Sequence, residues 1–435
     1  MHRTLRPNAG GTPYPRPRPA RTIVVALVAS LLFGAAPSSS AVASTDLLGE
    51  AARQDLLGEA ARQDLLAPPS VAAAAAILED QDTGQILYQK AADERRPIAS
   101  LTKVMTALVV MEREPDLSSL ATVSEAAAGQ IGAGLGLVPG ERVDVRTLLY
   151  GLLLESANDA AVSLAEHVAG NEEAFAELMN RRATSLGLSN THFGGATGLD
   201  NAGYSTAREL AALYRKAYAW NVFADIVRAS DVAATTASGR DLQIRTRNEL
   251  LLTYPGTTGG KTGFTTPSGH CLIASAERSG RRLVTVLLGE PVPAFEDGAT
   301  LLDHGFDSFR RVTLVREGEV VGRIGVEGQM VDALSPQTVT RLIAEDRVGT
   351  VERRFHPMDG LRLPVTAGQR IGDVDLVVAG RLVASLAARA ARGLMAGGSG
   401  GSAPPSSFPV GPPPLAGGID DILAALIRSL AGGFV

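Results

Sequence analysis

The hydrophobic pattern predicts a folded region that begins and ends with strands. The stretch "AAAAAILEDQDTGQILYQK" predicts two strands joined by a turn at residues 82–84, and "HCLIASAERSGRRLVTVLLGE" predicts two more, joined at residues 279–280. Between them, apolar residues recur at helical spacing over residues 100–111, 145–168 and 172–186. Strands at both ends with helices between them predict an α/β fold in which distant parts of the chain share one sheet.

The pattern changes after this first domain, which we place at residues 71–307. From residue 308 to 390, short β-type runs such as "RVTLVREGEVVGRIGVEG" are interrupted by glycine and proline and predict a smaller β-rich domain. Residues 391–418 are rich in Gly, Ser and Pro and predict a linker. Residues 419–431 place their apolar side chains on one face of a helix that is too short to cross a bilayer. Peripheral contact with a membrane and docking on protein are both open for that helix.

Residues 1–43 have the three parts of a secretory signal peptide. Arginines precede the apolar run "IVVALVASLLFGAA", and small residues at Ala41 and Ala43 predict cleavage after Ala43. An uncleaved signal anchor is the alternative, although the apolar run is shorter than the about 20 residues that span a bilayer. Residues 44–70 contain the nonapeptide "DLLGEAARQ" twice and are interpreted as a spacer. We therefore expect a secreted protein of the cell wall or the outer face of the membrane.

The composition excludes some classes of function. The 435 residues carry a formal net charge of -5, so no nucleic-acid partner is expected. Cys271 is the single cysteine, and its apolar neighbours predict a buried thiol without a disulfide. The histidines show no spacing typical of metal ligands, so neither a metal nor another cofactor is expected.

Lysine is scarce in this chain, and one lysine follows a serine by a single helical turn. In "IASLTKVMT" the side chain of Lys103 points back toward the hydroxyl of Ser100. A neutral lysine can take the hydroxyl proton, which a serine nucleophile requires. Lowering a lysine pKa from about 10.4 to near 7 requires burial and, we expect, a second cation nearby. The alternative interpretation is an N-cap serine followed by an exposed lysine.

Two further segments favour the catalytic interpretation. "LLLESANDAAVSLAEH" places Ser156 and Asn158 in an apolar helical stretch, and "PGTTGGKTGFTTPSGH" presents Lys261, Thr262 and Gly263 as a strand begins. A peptide that ends in a free carboxylate needs a positive, donor-rich end to its cleft, which Lys261 and Thr262, with Arg247 as a further candidate, can provide.

The order Ser-x-x-Lys, Ser-x-Asn, Lys-Thr-Gly resembles the active-site serine penicillin-recognising enzymes. With the flanking sequences "RPIASLTKVMTALV" and "LLYGLLLESANDAA", the chain resembles the D-alanyl-D-alanine carboxypeptidases of serine peptidase family S11 over about residues 75–306. The resemblance implies a DD-peptidase-like domain, with an antiparallel sheet flanked by helices, before the β-rich domain. It also implies hydrolysis of the terminal D-alanine of peptidoglycan stem peptides through an acyl-enzyme, with β-lactams as inhibitors.

The resemblance assigns catalytic roles to three side chains. Ser100 is the acylated nucleophile and Lys103 is its base. Ser156 relays a proton to the leaving D-alanine amine. The backbone N–H groups of Ser100 and Phe264 form the oxyanion hole.

Other residues are expected to bind the substrate. Asn158 holds the substrate amide carbonyl, Lys261 supplies the second cation, and Thr262 binds the terminal carboxylate. Arg247 either helps to bind that carboxylate or is a surface charge. Gly263, with the glycines at 259 and 260, is expected to let a substrate strand approach the backbone closely.

Relatives often have Arg-Phe where this chain has Ala294-Phe295, which weakens one expected carboxylate contact.

Two alternatives to the carboxypeptidase remain open at this stage. A β-lactamase of the same fold uses the same acylation chemistry, but we find no deacylating glutamate motif before the Lys-Thr-Gly strand. A catalytically idle wall-binding protein is the other alternative, and the intact motifs disfavour it.

Overall fold

The computed structural model describes residues 68–200 and 202–396. The predicted signal peptide, both nonapeptides and the C-terminal helix lie outside the described residues, as does the linker beyond residue 396.

The first domain contains the predicted sheet, whose strands come from its two ends. Its strands are β1 (Ala75–Asp80), β2 (Ile86–Lys90), β3 (Leu120–Thr122), β4 (Arg142–Asp144), β5 (Asp231–Thr235), β6 (Asp241–Arg245), β7 (Thr257–Thr265), β8 (Gly269–Arg278) and β9 (Arg281–Glu290). The main sheet has the order β2-β1-β9-β8-β7, with every neighbouring pair antiparallel. The turns at 82–84 and 279–280 lie where the sequence predicts them. β3 pairs with β4, and β5 with β6, to form two separate two-stranded sheets.

Helices cover both faces of this sheet. They are α1 (Lys103–Arg113), α2 (Glu125–Ala128), α3 (Val145–Tyr150), α4 (Asn158–Ala169), α5 (Glu172–Ser185), α6 (Ala207–Tyr218), α7 (Asn221–Arg228), α8 (Leu250–Thr253) and α9 (Phe295–Ser308). Every residue of β1 is buried: Ile77 faces the core that α1 and α4 share, and Leu78 faces a second core under α9. A strand buried on both faces reads as a continuous apolar run, which explains "AAIL" in the sequence. The predicted antiparallel sheet flanked by helices is confirmed.

The helix predicted over residues 145–168 is wrong in one respect, because the structure interrupts it at its centre. After α3, residues 151–155 form one π-helical turn, and Ser156 adopts a left-handed conformation with φ of 62° before α4 begins. The backbone N–H of Ala157 still reaches the carbonyl oxygen of Gly151 at 3.0 Å, so the interruption is hydrogen-bonded. Continuous apolar residues mask it, since both halves of the segment are buried.

The β-rich part begins where α9 ends. Its strands are β10 (Phe309–Val315), β11 (Val320–Val326), β12 (Gln329–Leu334), β13 (Val339–Ala344), β14 (Val351–Pro357), β15 (Arg370–Val378) and β16 (Arg381–Ala390). β10 pairs with β13, and the other five form a sheet in the order β11-β12-β16-β15-β14. The part extends past the predicted limit at residue 390, because Leu394 is buried and exchanges two 2.8 Å backbone hydrogen bonds with Val365. No helix within residues 68–200 and 202–396 has the length and apolarity to traverse a membrane.

Candidate active site

Ser100, the predicted nucleophile, lies in a short 3-10 turn at residues 99–102, immediately before α1. Ala99 has a positive φ of 46°, which is uncommon for a residue with a side chain. Gly198 packs so tightly on this turn that a Cβ there would lie 2.0 Å from the carbonyl oxygen of Ala99. On another side, a Cβ at Gly263 of β7 would lie 3.0 Å from the backbone nitrogen of Ser100. The turn that carries Ser100 is therefore fixed by close backbone contacts.

The side chain of Lys103 is fully buried behind the serine. Its Nζ lies 3.0 Å from Ser100 Oγ and 2.7 Å from two carbonyl oxygens, those of the Asn158 side chain and the Thr197 backbone. A neutral amine has two N–H bonds and one lone pair. Because the two carbonyl oxygens can only accept, they take the N–H groups and leave the lone pair directed at the Ser100 hydroxyl.

The charge state of Lys103 agrees with this geometry. Burial lowers its pKa from 10.5 to about 7, Asp159 opposes this shift and Arg247 adds to it. A lysine with a pKa near 7 is largely neutral at mildly alkaline pH and can act as a base.

Lys261 is the second buried lysine of the site and contacts Ser156. It is 1% exposed, and its Nζ donates to Ser156 Oγ at 2.8 Å and to the carbonyl oxygen of Thr262 at 2.7 Å. Burial first, and then the positive charges of Lys103 and Arg247, hold the pKa of Lys261 well below its ordinary value. Two buried lysines thus each contact one serine hydroxyl.

The interruption between α3 and α4 places the two polar residues of the second motif. The left-handed Ser156 directs its hydroxyl to Lys261, while Asn158 begins α4 and contacts Lys103. The Nδ2 group of Asn158 also donates to the carbonyl oxygen of Ile131 at 2.7 Å. One N–H of that amide therefore remains for a substrate carbonyl.

These groups border a cleft of about 550 Å³. Ser100, Ser156 and Asn158 line it together with Thr262, Gly263 and Phe264. Arg247 lines the cleft as well, and its half-exposed guanidinium pairs with Glu155 at 3.0 Å. The structure therefore brings every predicted site residue except the two buried lysines to the cleft surface, with those lysines directly behind the serines. The catalytic and binding roles stay predictions.

The expected reason for two of the glycines is wrong. A Cβ at Gly259 would lie 2.5 Å from the side chain of Val227 on α7, and one at Gly260 would lie 2.1 Å from the carbonyl oxygen of Ile273. Both glycines are buried and have φ values of 140° and 155°. They allow β7 to pack inside the protein rather than to approach a substrate.

Sequence reasoning missed two groups at the site. The carbonyl oxygen of Thr197 gives no sequence signal, since any residue supplies one. Asp159 directly follows Asn158 and is 4% exposed, and an acidic residue in an apolar helical stretch is a signal that could have found it.

Cys271 lines the cleft but has no feature of a nucleophile. Burial raises the pKa of the Cys271 thiol, which disfavours the nucleophilic thiolate. Within the described part of the chain, no group of three or more His, Cys, Asp and Glu residues could hold a metal ion.

Comparison with known proteins places these residues in a family. The family described as "D-alanyl-D-alanine carboxypeptidase" matches residues 62–292. The D-alanyl-D-alanine carboxypeptidase DacF of Bacillus subtilis is 30% identical over 323 residues, which are 72% of this chain and 83% of that relative.

Solved structures agree. The structure of the D-alanyl-D-alanine carboxypeptidase DacD from Francisella tularensis matches with a TM-score of 0.66 and 26% identity, over 75% of this chain and 94% of that chain. Penicillin binding protein 5 from Haemophilus influenzae matches with a TM-score of 0.63 and 29% identity, over 75% of this chain and 99% of that chain.

Proposed function

The chain belongs to the D-alanyl-D-alanine carboxypeptidase family and is a serine-type hydrolase of that family, and from this premise we propose how its residues act on peptidoglycan stem peptides. The observation that carries the proposal is the contact of Lys103 Nζ with Ser100 Oγ at 3.0 Å, made by an amine whose pKa is about 7.

In the first step, neutral Lys103 takes the proton of the Ser100 hydroxyl as Oγ attacks the carbonyl carbon of the penultimate D-alanine. The developing oxyanion is bound by the backbone N–H groups of Ser100 and Phe264. Asn158 holds the neighbouring amide carbonyl of the substrate with its remaining N–H.

In the second step, the C–N bond breaks as Ser156 gives its proton to the leaving amine, and the proton that Lys103 took from Ser100 returns to Ser156, which leaves Lys103 neutral again. Lys261 lies 2.8 Å from that hydroxyl and stabilises the oxygen as it loses the proton. Thr262 and Arg247 bind the terminal carboxylate of the departing D-alanine. Water then attacks the carbonyl carbon of the Ser100 ester while neutral Lys103 takes a proton from that water. Lys103 returns this proton to Ser100 Oγ as the bond between Oγ and the acyl carbon breaks, which releases the shortened peptide and regenerates Ser100.

The test compares the full chain with Ser100→Ala on a peptide ending in D-Ala-D-Ala and on labelled penicillin. The wild-type protein is expected to release D-alanine and to become labelled, whereas Ser100→Ala is expected to do neither, because the nucleophile is absent. Release of D-alanine by Ser100→Ala would end the proposal. Labelling of the wild type without release would favour the idle wall-binding protein, and rapid turnover of penicillin would favour the β-lactamase.

Export and membrane contact extend the proposal to residues outside the described part. The signal pattern of residues 1–43 supports secretion to the cell wall, where the substrate lies. The apolar face of residues 419–431 supports peripheral contact with the membrane.

Exported protein should begin at Ser44 when its N-terminus is sequenced. Lipid vesicles should bind the full chain more strongly than a chain that ends at residue 418, and equal binding would remove the membrane role.

A further inference from the structure

One wall of the cleft is an irregular segment, residues 131–137, which we term the wall segment. It contains no helix or strand, and Gly132 and Ala133 within it line the cleft. An irregular segment next to reacting groups must be held by specific contacts, because it has no ladder of its own hydrogen bonds. The position of the wall segment therefore depends on the groups that form hydrogen bonds with its backbone N–H and carbonyl groups.

Two consecutive residues at the start of α4 hold the wall segment. Asn158 donates its backbone N–H to Ala133 O at 2.7 Å and its Nδ2 to Ile131 O at 2.7 Å. Asp159 accepts the backbone N–H of Leu135 on Oδ1 at 3.0 Å and that of Leu137 on Oδ2 at 3.1 Å. The carboxylate thus clamps the second half of the segment, as Asn158 clamps the first.

The Asp159 carboxylate is closely enclosed. A Cβ on Gly134 would lie 2.9 Å from its Oδ2, so the wall segment fits around it without room for a side chain. Within the described ranges, no lysine, arginine or histidine nitrogen lies within 4.0 Å of this carboxylate. A buried carboxylate without an ion-pair partner is costly, and backbone N–H groups are the partners of this one.

We infer that Asp159 is a positioning residue of the carboxypeptidase, whose carboxylate fixes the wall segment on α4 and acts electrostatically on Lys103. It touches neither substrate nor the reacting serine. Both effects come from one group, because the carboxylate that accepts the N–H groups of the wall segment also raises the pKa of Lys103.

The charged groups around Lys103 set the sign of the pH effect. Asp159 raises the pKa of Lys103, while Arg247 lowers it, and Lys103 in turn lowers the pKa of the buried Lys261. On the other side of Asp159, Arg240 donates to Leu135 O at 3.3 Å and pairs with Glu141 at 2.8 Å. Replacing the carboxylate by an amide removes the negative charge and leaves the cations. The pKa of Lys103 then falls further.

The test is Asp159→Asn in the full chain, with kcat/KM for D-alanine release measured across pH. The amide cannot accept both wall-segment N–H groups, so we expect kcat/KM to fall by about tenfold or more at alkaline pH. We also expect the acid limb of the profile to move to lower pH by about one unit, because a more readily deprotonated base is active at lower pH. The rate of acylation by penicillin should show the same shift, independently of ester hydrolysis.

Asp144→Asn is the matched control. Asp144 likewise accepts a backbone N–H, that of Thr147 at 2.9 Å, but it lies outside the cleft and caps α3. Its profile should match the wild type in rate and in acid limb. For Asp159→Asn, a wild-type rate and limb would overturn the inference, and so would a lowered rate with an unmoved limb, since general destabilisation produces that.

Gly134→Ala keeps the inference testable if Asp159→Asn does not fold. The added Cβ displaces the wall segment from the carboxylate but leaves its charge, so kcat/KM should fall about tenfold while the acid limb stays in place. An unchanged kcat/KM would overturn the wall-segment role. The inference rests on the proposed function, and the wild-type protein separates the two: if it releases no D-alanine, the function fails, whereas the inference fails only in the comparison of variants.

Discussion

At the scale of single residues, the site depends on two amines held in the apolar interior. Lys103 and Lys261 rank among the largest fully buried side chains of the described residues. Water would keep each amine protonated, and burial reverses that preference because the charged form loses its hydration. The two amines reinforce this, since Lys103 disfavours a charge on Lys261. The sequence led us to expect a second cation near Lys103; in the structure burial is the main cause of its lowered pKa, and Arg247 is the cation that adds to it.

The pH dependence of the reaction follows from Lys103. Because its pKa is about 7 and the base must be neutral, kcat/KM should rise with pH through about 7 and then level. A pH–rate series on a D-Ala-D-Ala peptide measures this. A profile that stays flat from pH 5 to 9 would contradict the assignment of Lys103 as the base.

Burial of Lys103 should also cost stability. The folded protein has a pKa of about 7 at this group and the unfolded chain has 10.5, so the folded state disfavours the proton. The cost is full below pH 7, roughly 4 to 5 kcal/mol. It declines as pH rises from 7 and vanishes above the unfolded pKa.

Lys103→Met should therefore stabilise the protein while abolishing activity. Methionine fills a similar volume without a charge but loses the hydrogen bonds to Asn158 and Thr197, so a net gain of about 1 to 3 kcal/mol is expected at pH 6. The gain should shrink by pH 9. Urea denaturation of both proteins at the two pH values measures it, and a gain that increases with pH would contradict the argument.

At the scale of elements, backbone conformation places the catalytic groups. Two non-glycine residues of the site have a positive φ: Ala99, which directly precedes Ser100, and Ser156 itself. Such strain persists only where the surrounding structure enforces it. For Ala99 the enforcing neighbour is Gly198, and for Ser156 it is the π-helical turn that precedes it.

Gly198→Ala should damage the turn that carries Ser100. Gly198 has a φ of 75°, and its Cβ would lie 2.0 Å from Ala99 O, so we expect a loss of about 2 to 4 kcal/mol and a severe loss of penicillin labelling. Thermal unfolding and labelling rate measure the two effects.

Gly187→Ala is the matched control for this substitution. Gly187 also has a φ of 75°, but nothing lies within 4 Å of an added Cβ. Only the conformational cost of about 1 kcal/mol should remain, with normal labelling. Equal effects of the two substitutions would show that the contact with Ala99 is unimportant.

At the scale of the whole molecule, the β-rich part is fastened to the first domain at a defined contact. Gln85, between β1 and β2, accepts the backbone N–H of Leu342 at 2.9 Å and donates to its carbonyl oxygen at 2.5 Å. The Leu342 side chain is buried in the core under α9. The residues that line the cleft all precede the β-rich part, so we predict that this part supports the site and contributes nothing to its chemistry.

A chain that ends at Ser308 should remain acylated by penicillin but unfold more easily. It retains every cleft residue and loses Leu342 from the core, which costs about 2 to 3 kcal/mol in burial alone. Labelling and thermal unfolding of the shortened protein measure the two effects. A folded but unlabelled shortened protein would contradict the supporting role.

How much the sequence could predict differs between these scales. The strands and their turns were predictable because β1, β8 and β9 are apolar runs bounded by turn residues. The interruption at Ser156 was not, because its stability comes from tertiary contacts on both sides of a continuous apolar run. The β-rich part runs past the boundary predicted at residue 390 for a similar reason, since no local pattern after that residue indicates that Leu394 pairs with Val365.

The sequence by itself determined the chemistry of this protein: which residue types are present, in what order, and with what spacing between Ser100 and Lys103. One helical turn suffices to bring those two together, because local geometry fixes it. Tertiary structure alone decided that Lys261 meets Ser156, at 2.8 Å across 105 residues, and that the carbonyl oxygen of Thr197 reaches Lys103 at 2.7 Å. Burial and long-range packing set the protonation of both amines, and neither is a property of any short stretch of chain.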